Sequence, residues 1–229
     1  MEYKYKIELH SHTSPVSGCA TITPRELVTE AKKKGYDVLV ITNHFFLYDH
    51  KYAQYQRADD PVSFYLNDFY EAKNLGESLG VKVLLGAEYC LDRINDILIF
   101  GLDEEFLRKT VMLRDISLKD FYNSFHNDEL LFIQAHPFRT ENSPLPLMFL
   151  DGVETVNTQP EQTSNCEKAI EFADENNIEI KTIGADVHKL HHIGISALKT
   201  NVLPNDEKEL VKILKSGDYI FEVNEKEPS

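Results

Sequence analysis

A chain of 229 residues is long enough for one large α/β domain with a full core. Its formal net charge of −14 works against nucleic-acid and anionic-membrane partners, whose binding rests on lysine and arginine. Three cysteines, Cys19, Cys90 and Cys166, are an odd number without C-x-x-C spacing and argue against a disulfide framework.

The first predicted strand covers 6–13 and ends in His10-Ser11-His12-Thr13. Residues two apart on a strand share a face, so both imidazoles point the same way. Thr23-Pro24-Arg25-Glu26 is a capping box with proline at the first helical position. Leu27, Val28 and Ala31 form the apolar stripe of that helix, and Gly35 ends it. A β-branched and apolar run over 37–42 reads as a strand buried on both faces, finishing at Asn43-His44.

The segment 45–60 is aromatic and polar (Tyr48, His50, Tyr52, Tyr55, Arg57) and reads equally as a substrate-facing loop or as packing on outer helices. A helix from Pro61 stops at Gly80. Strands over 81–87, ending at Glu88, and over 97–101 follow. Ser117 to Asp120 opens another helix. The strand 130–135 ends at His136-Pro137-Phe138-Arg139, and 152–157 is a further strand. Ser164 to Glu167 caps a helix, and the strand 178–185 ends at Asp186-Val187-His188. A last helix, 206–215, and a short strand, 219–223, precede a charged tail.

Alternating strands and helices argue for an α/β barrel or a doubly wound sheet. No glycine-rich phosphate loop follows the first strand, as a dinucleotide-binding sheet would need. Instead, ligand-type residues stand at the ends of at least five strands: His10, His12, His44, Glu88, His136, Asp186 and His188. In a barrel these ends converge on one mouth, so the expected fold is a barrel of about seven strands. Each residue alone has a plainer role: His44 could cap a loop, Glu88 could start a helix, Arg139 could be a surface arginine. Their conjunction is what the plainer roles fail to explain.

Imidazoles and carboxylates without thiolate suit zinc, manganese or iron(II). Seven ligands exceed one tetrahedral ion, so two ions bridged by Glu88 are expected. Such a pair lowers the pKa of a bound water and clamps both oxygens of an in-line displacement, as phosphoester hydrolysis requires. Arg139, beside His136, is placed to grip a phosphate with two donors.

His10-Ser11-His12-Thr13, Ile41-Thr42-Asn43-His44, Gly86-Ala87-Glu88, Ala135-His136-Pro137-Phe138-Arg139 and Gly184-Ala185-Asp186-Val187-His188 are similar to the successive motifs of the PHP (polymerase and histidinol phosphatase) family, in its order, from His10 to about Gly194. The resemblance implies a distorted (β/α)7 TIM-like barrel and a metal-dependent phosphoesterase using Mn, Zn or Fe. By it, His10, His12, Glu88 and Asp186 hold one ion, Glu88 and His136 a second, and His44 and His188 a third. Arg139, Asp186 and His188 are then the catalytic candidates.

The chain departs from the family at Asn43, where aspartate is usual. A histidine common after His-x-His is missing from Pro15-Val16-Ser17-Gly18-Cys19, and another, common on the fourth strand, is missing near Asn95 and Asp96. Two ions, up to three, are therefore expected. The overall expectation is a single domain over 1–229, with 195–229 as a C-terminal extension packed on the barrel. The start lacks an apolar signal-peptide core and no stretch is long enough to cross a membrane, so a cytoplasmic location is expected. The expected partner is a small-molecule phosphoester, with no nucleic acid and no membrane. The alternatives are an amidohydrolase-type C–N hydrolase and a non-catalytic metal- or ligand-binding relic.

Overall fold

The computed structural model describes residues 2–224. Its elements are β1 (Tyr5–Ser11), α1 (Pro24–Lys33), β2 (Val38–Ile41), β3 (His44–Phe46), α2 (Pro61–Leu79), β4 (Lys82–Cys90), β5 (Asp96–Phe100), α3 (Glu104–Thr110), α4 (Leu118–Phe125), β6 (Leu131–Gln134), β7 (Gly152–Asn157), α5 (Cys166–Glu175), β8 (Ile180–Gly184), β9 (Ser196–Thr200), α6 (Glu207–Ser216) and β10 (Tyr219–Val223). The predicted helix starts follow from local chemistry. At α1 the Thr23 hydroxyl accepts from the Glu26 N–H (3.2 Å) while the Glu26 carboxylate accepts from the Thr23 N–H (2.9 Å). At the end of α2, Gly80 adopts φ +70°, a left-handed cap that glycine takes without a Cβ penalty.

The strands lie in the order β10-β9-β1-β2-β4-β5-β6-β7-β8, with β3 beside β4. The ring closes where Ser11 bridges Val187: the His12 N–H donates to the Val187 carbonyl (2.9 Å), and the Val187 N–H to the His10 carbonyl (3.1 Å). The strands from β1 round to β8 thus form the nearly closed barrel expected from the resemblance. β9 runs antiparallel along Tyr5–Ile7 of β1, and β10 along β9.

Two local readings are corrected. β5 is antiparallel to both β4 and β6, not one more parallel strand. Its link to β4 is a tight turn in which Asp92 Oδ1 accepts from the N–H groups of Ile94 (2.8 Å) and Asn95 (2.6 Å), and so short a link joins only antiparallel strands. The first residue of β5, Asp96, therefore stands at the mouth. Ser164 does not cap a helix: its hydroxyl donates to Asn157 Oδ1 (3.2 Å), and α5 begins beyond Asn165, which takes φ +49°. Finally, α3 and β9 carry no strong sequence signal. The predicted charged tail, 225–229, lies outside the described residues.

Side chains alternate between two apolar layers. Val38 and Val40 of β2 join Leu84, Leu98, Phe100, Leu131 and Ile133 inside the barrel, where α6 adds Leu210, Val211 and Leu214. Leu39, Ile41, Val83, Leu85 and Ile99 face outward with Leu27, Val28 and Ala72 of α1 and α2. The same alternation sets the site. Leu84, Gly86 and Glu88 share one face of β4, and Phe100, Leu98 and Asp96 the paired face of β5. Along both strands the interior changes from apolar to acidic.

The 45–60 segment serves both readings. Tyr55 is fully buried, its hydroxyl accepting from the Phe46 N–H (2.7 Å) and its ring 5.4 Å from those of Phe45 and Tyr65. Tyr52 is 36% exposed and lines the cleft at the barrel mouth. Tyr55→Ala is expected to lower unfolding stability by about 3–5 kcal/mol, as truncation of a buried aromatic does. Tyr52→Ala should stay within about 0.5 kcal/mol of the parent, as exposed positions do. Chemical denaturation of both variants checks this. Among the described residues no helix is long and apolar enough to cross a membrane.

Candidate metal centre

All seven expected ligands meet at the mouth. Glu88 lies at their middle with its two oxygens facing different imidazoles. Oε1 is 3.3 Å from His10 Nε2 and 3.1 Å from His136 Nε2, whereas Oε2 is 2.7 Å from His44 Nδ1 and 3.4 Å from His12 Nε2. Asp186 Oδ1 sits 3.4 Å from His10 Nε2, 3.2 Å from His12 Nε2 and 3.2 Å from His188 Nδ1. Three overlapping trios have all ligand atoms within 4.8 Å of one another: His10, His12 and Asp186; His10, Glu88 and His136; His12, His44 and His188.

The backbone is bent to achieve this. His136 (φ +28°) and Asp186 (φ +48°) both occupy the left-handed region, which side chains other than glycine's rarely enter. Conformations of this kind cost about 1–3 kcal/mol each and persist where their surroundings enforce them. Gly184 makes room: a Cβ there would lie 2.5 Å from His10 Cβ and 2.6 Å from Glu154 Oε1.

A surrounding layer fixes the ring tautomers. Glu154 Oε1 lies 2.9 Å from His10 Nδ1, and its Oε2 accepts from the His136 N–H (3.0 Å). The Ser17 hydroxyl donates to Asn43 Oδ1 (2.9 Å), so at 3.3 Å it accepts from His12 Nδ1–H. His188 Nδ1 lies 3.0 Å from the Asp186 carbonyl. With Nδ1–H donating in each case, Nε2 of His10, His12 and His188 keeps its lone pair for a ligand. Asn43 in turn donates to the Thr13 hydroxyl (3.0 Å), which donates to the buried Asp68 (2.9 Å), so a carboxylate stands one residue behind the position where aspartate is usual.

Four buried side-chain atoms at the centre, His10 Nε2, His12 Nε2, Glu88 Oε2 and Asp186 Oδ1, make no well-aligned hydrogen bond although they crowd one another and the His44 and His188 rings at 2.7–3.4 Å. Leaving buried polar atoms unsatisfied costs about 1–3 kcal/mol each. Two imidazole nitrogens and two carboxylate oxygens converging on one space are a donor set for a zinc-, manganese- or iron-like cation. The residues present fit a metal.

Charge follows the same logic. Burial alone would depress His10 and His44, but carboxylates outweigh it. Asp186, Glu154 and Glu88 hold His10 well above the usual imidazole range, and Glu88 does so for His44. His188, opposed by burial but facing Asp186, is raised to about 10. Burial and the cationic His188 and His44 push His12 well below its ordinary value. Against burial, His10 holds both Glu88 and Asp186 well below theirs, with help from His44 at Glu88 and from His188 at Asp186.

Without a metal the carboxylates favour the protonated forms of His10, His44 and His188, so a metal ion competes with protons for these rings. Calorimetric titration with Zn2+ at pH 7 should show proton release through buffer-dependent enthalpies, with affinity climbing as pH rises. The His188–Asp186 contact stabilises the metal-free fold fully below an imidazole's ordinary pKa of about 6.5. That contribution is lost as pH rises through about 10.

Several residues here had no role in the sequence reading. Asp96, pushed up to about 6 by burial and Glu88, faces Glu88, His136 and His44. Cys19 faces His44 and His188; burial would raise its thiol, but hydrogen bonds with these two bring it down to about 6. Glu8, raised to about 8 by burial, accepts from the N–H groups of His10 and Ala185 (both 2.9 Å). A charged residue inside an apolar strand was the available signal for Glu8 and Glu154. Arg139 lines the cleft beside His136: its Nη2 donates to Asp186 Oδ2 (2.6 Å) and Asn157 Oδ1 (3.0 Å), while its buried Nε has no hydrogen-bond partner among the described residues.

Fold and site together define a barrel built around a cluster of metal-binding side chains. The chain matches the PHP domain family over residues 8–226 and belongs to it. Over 87 residues, 38% of its length, it is 32% identical to a PolC-type DNA polymerase III from Oceanobacillus iheyensis, and it spans 5% of that polymerase.

Solved structures share the fold. PsfC from Pseudomonas syringae is 14% identical with a TM-score of 0.67, covering 96% of this chain and 91% of that one. A two-domain protein from Bacteroides vulgatus containing a predicted PHP-like metal-dependent phosphoesterase is 14% identical with a TM-score of 0.66, covering 96% and 65%. An amidohydrolase from Chromobacterium violaceum, with bound sulfate and no metal, is 13% identical with a TM-score of 0.55, covering 93% and 97%.

Proposed function

We propose that this protein is a metal-dependent phosphoesterase acting on a small-molecule phosphate ester, with His10, His12, His44, Glu88, His136, Asp186 and His188 holding two or three divalent ions. The observation that carries this is the convergence of the four buried atoms without well-aligned hydrogen bonds on His10, His12, Glu88 and Asp186. When bound, the ions lower the pKa of a water and polarise the phosphoryl group.

The protein's own residues do the rest. Glu154 and Ser17 hold the His10 and His12 rings in the ligating tautomer. Arg139 orients Asp186 through Nη2 and leaves Nε for a phosphoryl oxygen. The cleft over the centre, about 460 Å3, is lined by Arg93, Arg139 and Lys189 together with Tyr48 and Tyr52. Asp96, Glu161 and Asp186 share that lining, Arg139 and Lys189 pairing with the last two, so Arg93 together with bound metal ions is what would favour an anionic substrate. Arg93 is stacked over Tyr48 (4.8 Å to the ring centroid), and Lys189 pairs with Glu161 (2.7 Å).

The test is hydrolysis of p-nitrophenyl phosphate and bis(p-nitrophenyl) phosphate by purified protein with added Mn2+, Zn2+ or Fe2+. Activity that chelation abolishes and metal restores supports the proposal. Bound metal with no hydrolysis across a phosphoester panel leaves the relic reading, and hydrolysis of a cyclic amide instead leaves the amidohydrolase reading, whose fold is shared. That residues 1–229 form one domain, that the protein is cytoplasmic and that it takes no nucleic-acid partner remain parts of the proposal.

A further inference from the structure

Asp68 is a buried carboxylate near the middle of α2 and belongs to none of the ligand trios. It nevertheless ends a line of buried hydrogen bonds that begins at the metal centre. Its Oδ2 accepts from the Thr13 hydroxyl (2.9 Å) and the Val16 N–H (3.3 Å). With its proton committed there, the Thr13 hydroxyl accepts from Asn43 Nδ2 (3.0 Å). Asn43 Oδ1 is thereby turned to accept from the Thr13 N–H (2.7 Å) and the Ser17 hydroxyl (2.9 Å). Ser17 then has only lone pairs to offer the His44 N–H (2.9 Å) and His12 Nδ1 (3.3 Å). Each hydroxyl and amide in this line has one direction. A carboxylate, which only accepts, and the Thr13 N–H, which only donates, set it.

We propose that Asp68 is a positioning residue for the metal centre. Acting through Thr13, Asn43 and Ser17, it holds His12 in the tautomer that keeps Nε2 free for a metal, and supplies from α2 what an aspartate at position 43 would supply directly. The inference rests on the reading of His12 as a ligand. The direction has a competitor, because the Thr13 hydroxyl also lies 3.4 Å from Asn43 Oδ1. With no acceptor at position 68 its proton turns there. Asn43 Oδ1 then faces three donors, and the Ser17 proton is displaced towards His12 Nδ1. A ring that accepts at Nδ1 carries its proton on Nε2, where the metal would bind. An aspartate at position 43 removes the competition, since its two oxygens take the Thr13 and Ser17 hydroxyls separately.

The experiment measures two quantities on the full chain. One is Zn2+ affinity against a competing chelator. The other is the His12 tautomer, from imidazole 15N shifts of the metal-free protein, with the His12 signals identified by their loss in His12→Asn. Asp68→Leu, close in size and without an acceptor, is expected to lower Zn2+ affinity about tenfold, as loss of a group behind a ligand does, and to move the His12 proton from Nδ1 to Nε2. Adding Asn43→Asp should return both to near the parent values, a repair that a merely structural role for Asp68 would not allow. Ser17→Ala cuts the same line away from α2 and should lower affinity to a similar extent, without repair by Asn43→Asp. Parent affinity and tautomer in Asp68→Leu or in Ser17→Ala overturn the assignment and leave the centre standing. So does a loss in Asp68→Leu that Asn43→Asp fails to repair. A parent protein with the His12 proton on Nε2 overturns it whether or not a variant folds, and no Zn2+ uptake by the parent overturns both the assignment and the centre.

Discussion

Replacing Glu88 by glutamine is expected to lower the proposed metal-stimulated phosphoester hydrolysis by about a thousandfold. Glu88 is the one side chain with oxygens on four of the imidazoles, Oε1 on His10 and His136 and Oε2 on His12 and His44. Glutamine keeps its shape and removes its charge, so the four rings remain in place while the anion between them is gone. Metal ions supply several kcal/mol of transition-state stabilisation, and each 1.36 kcal/mol is tenfold in rate. Steady-state rates at saturating metal, with metal content measured on the same samples, check this. Activity within tenfold of the parent would place the chemistry elsewhere. The same variant should be less stable without metal, because removing one partner of a buried charge pair costs about 3–5 kcal/mol.

Chelation is expected to lower the midpoint of thermal unfolding by roughly 10 °C. An ion present at a thousand times its dissociation constant stabilises the folded state by about 4 kcal/mol. In a domain of this size each kcal/mol moves the midpoint by about 2–4 °C. The centre gives that gain a structural origin, since His10 Nε2, His12 Nε2, Glu88 Oε2 and Asp186 Oδ1 are buried together without well-aligned hydrogen bonds. Calorimetric scans with and without chelator, followed by re-addition of Zn2+ or Mn2+, measure the shift. An unchanged midpoint would mean that no ion is held by these four residues.

The ring of ligands was readable because each member follows an apolar run: His44 after 37–42, His136 after 130–135, Asp186 after 178–185. Such runs mark strands, and strand ends in a barrel meet. What was not readable depends on geometry between elements. Asp96 comes to the mouth because β5 is reversed, and the reversal lies in the Asp92 turn rather than in any periodicity. Cys19 comes to the cleft with His44 and His188 because the Ser17 hydroxyl accepts from the His44 N–H and the Thr21 N–H donates to the His188 carbonyl, residues far along the chain. Arg139 was correctly beside His136 in sequence, but its pairing with Asp186 joins two strand ends that no local pattern connects. Tyr52 and Tyr55, three residues apart in one aromatic segment, separate into cleft and core because Tyr55 satisfies the Phe46 amide.

The seam between β1 and β8 is held by a single bridge at Ser11 and Val187, whereas neighbouring strands elsewhere pair along several residues. His10 and His12 stand on one side of that seam, and Asp186 and His188 on the other. A cation held by His10, His12 and Asp186 would span that joint and reinforce a closure the backbone bridge already makes.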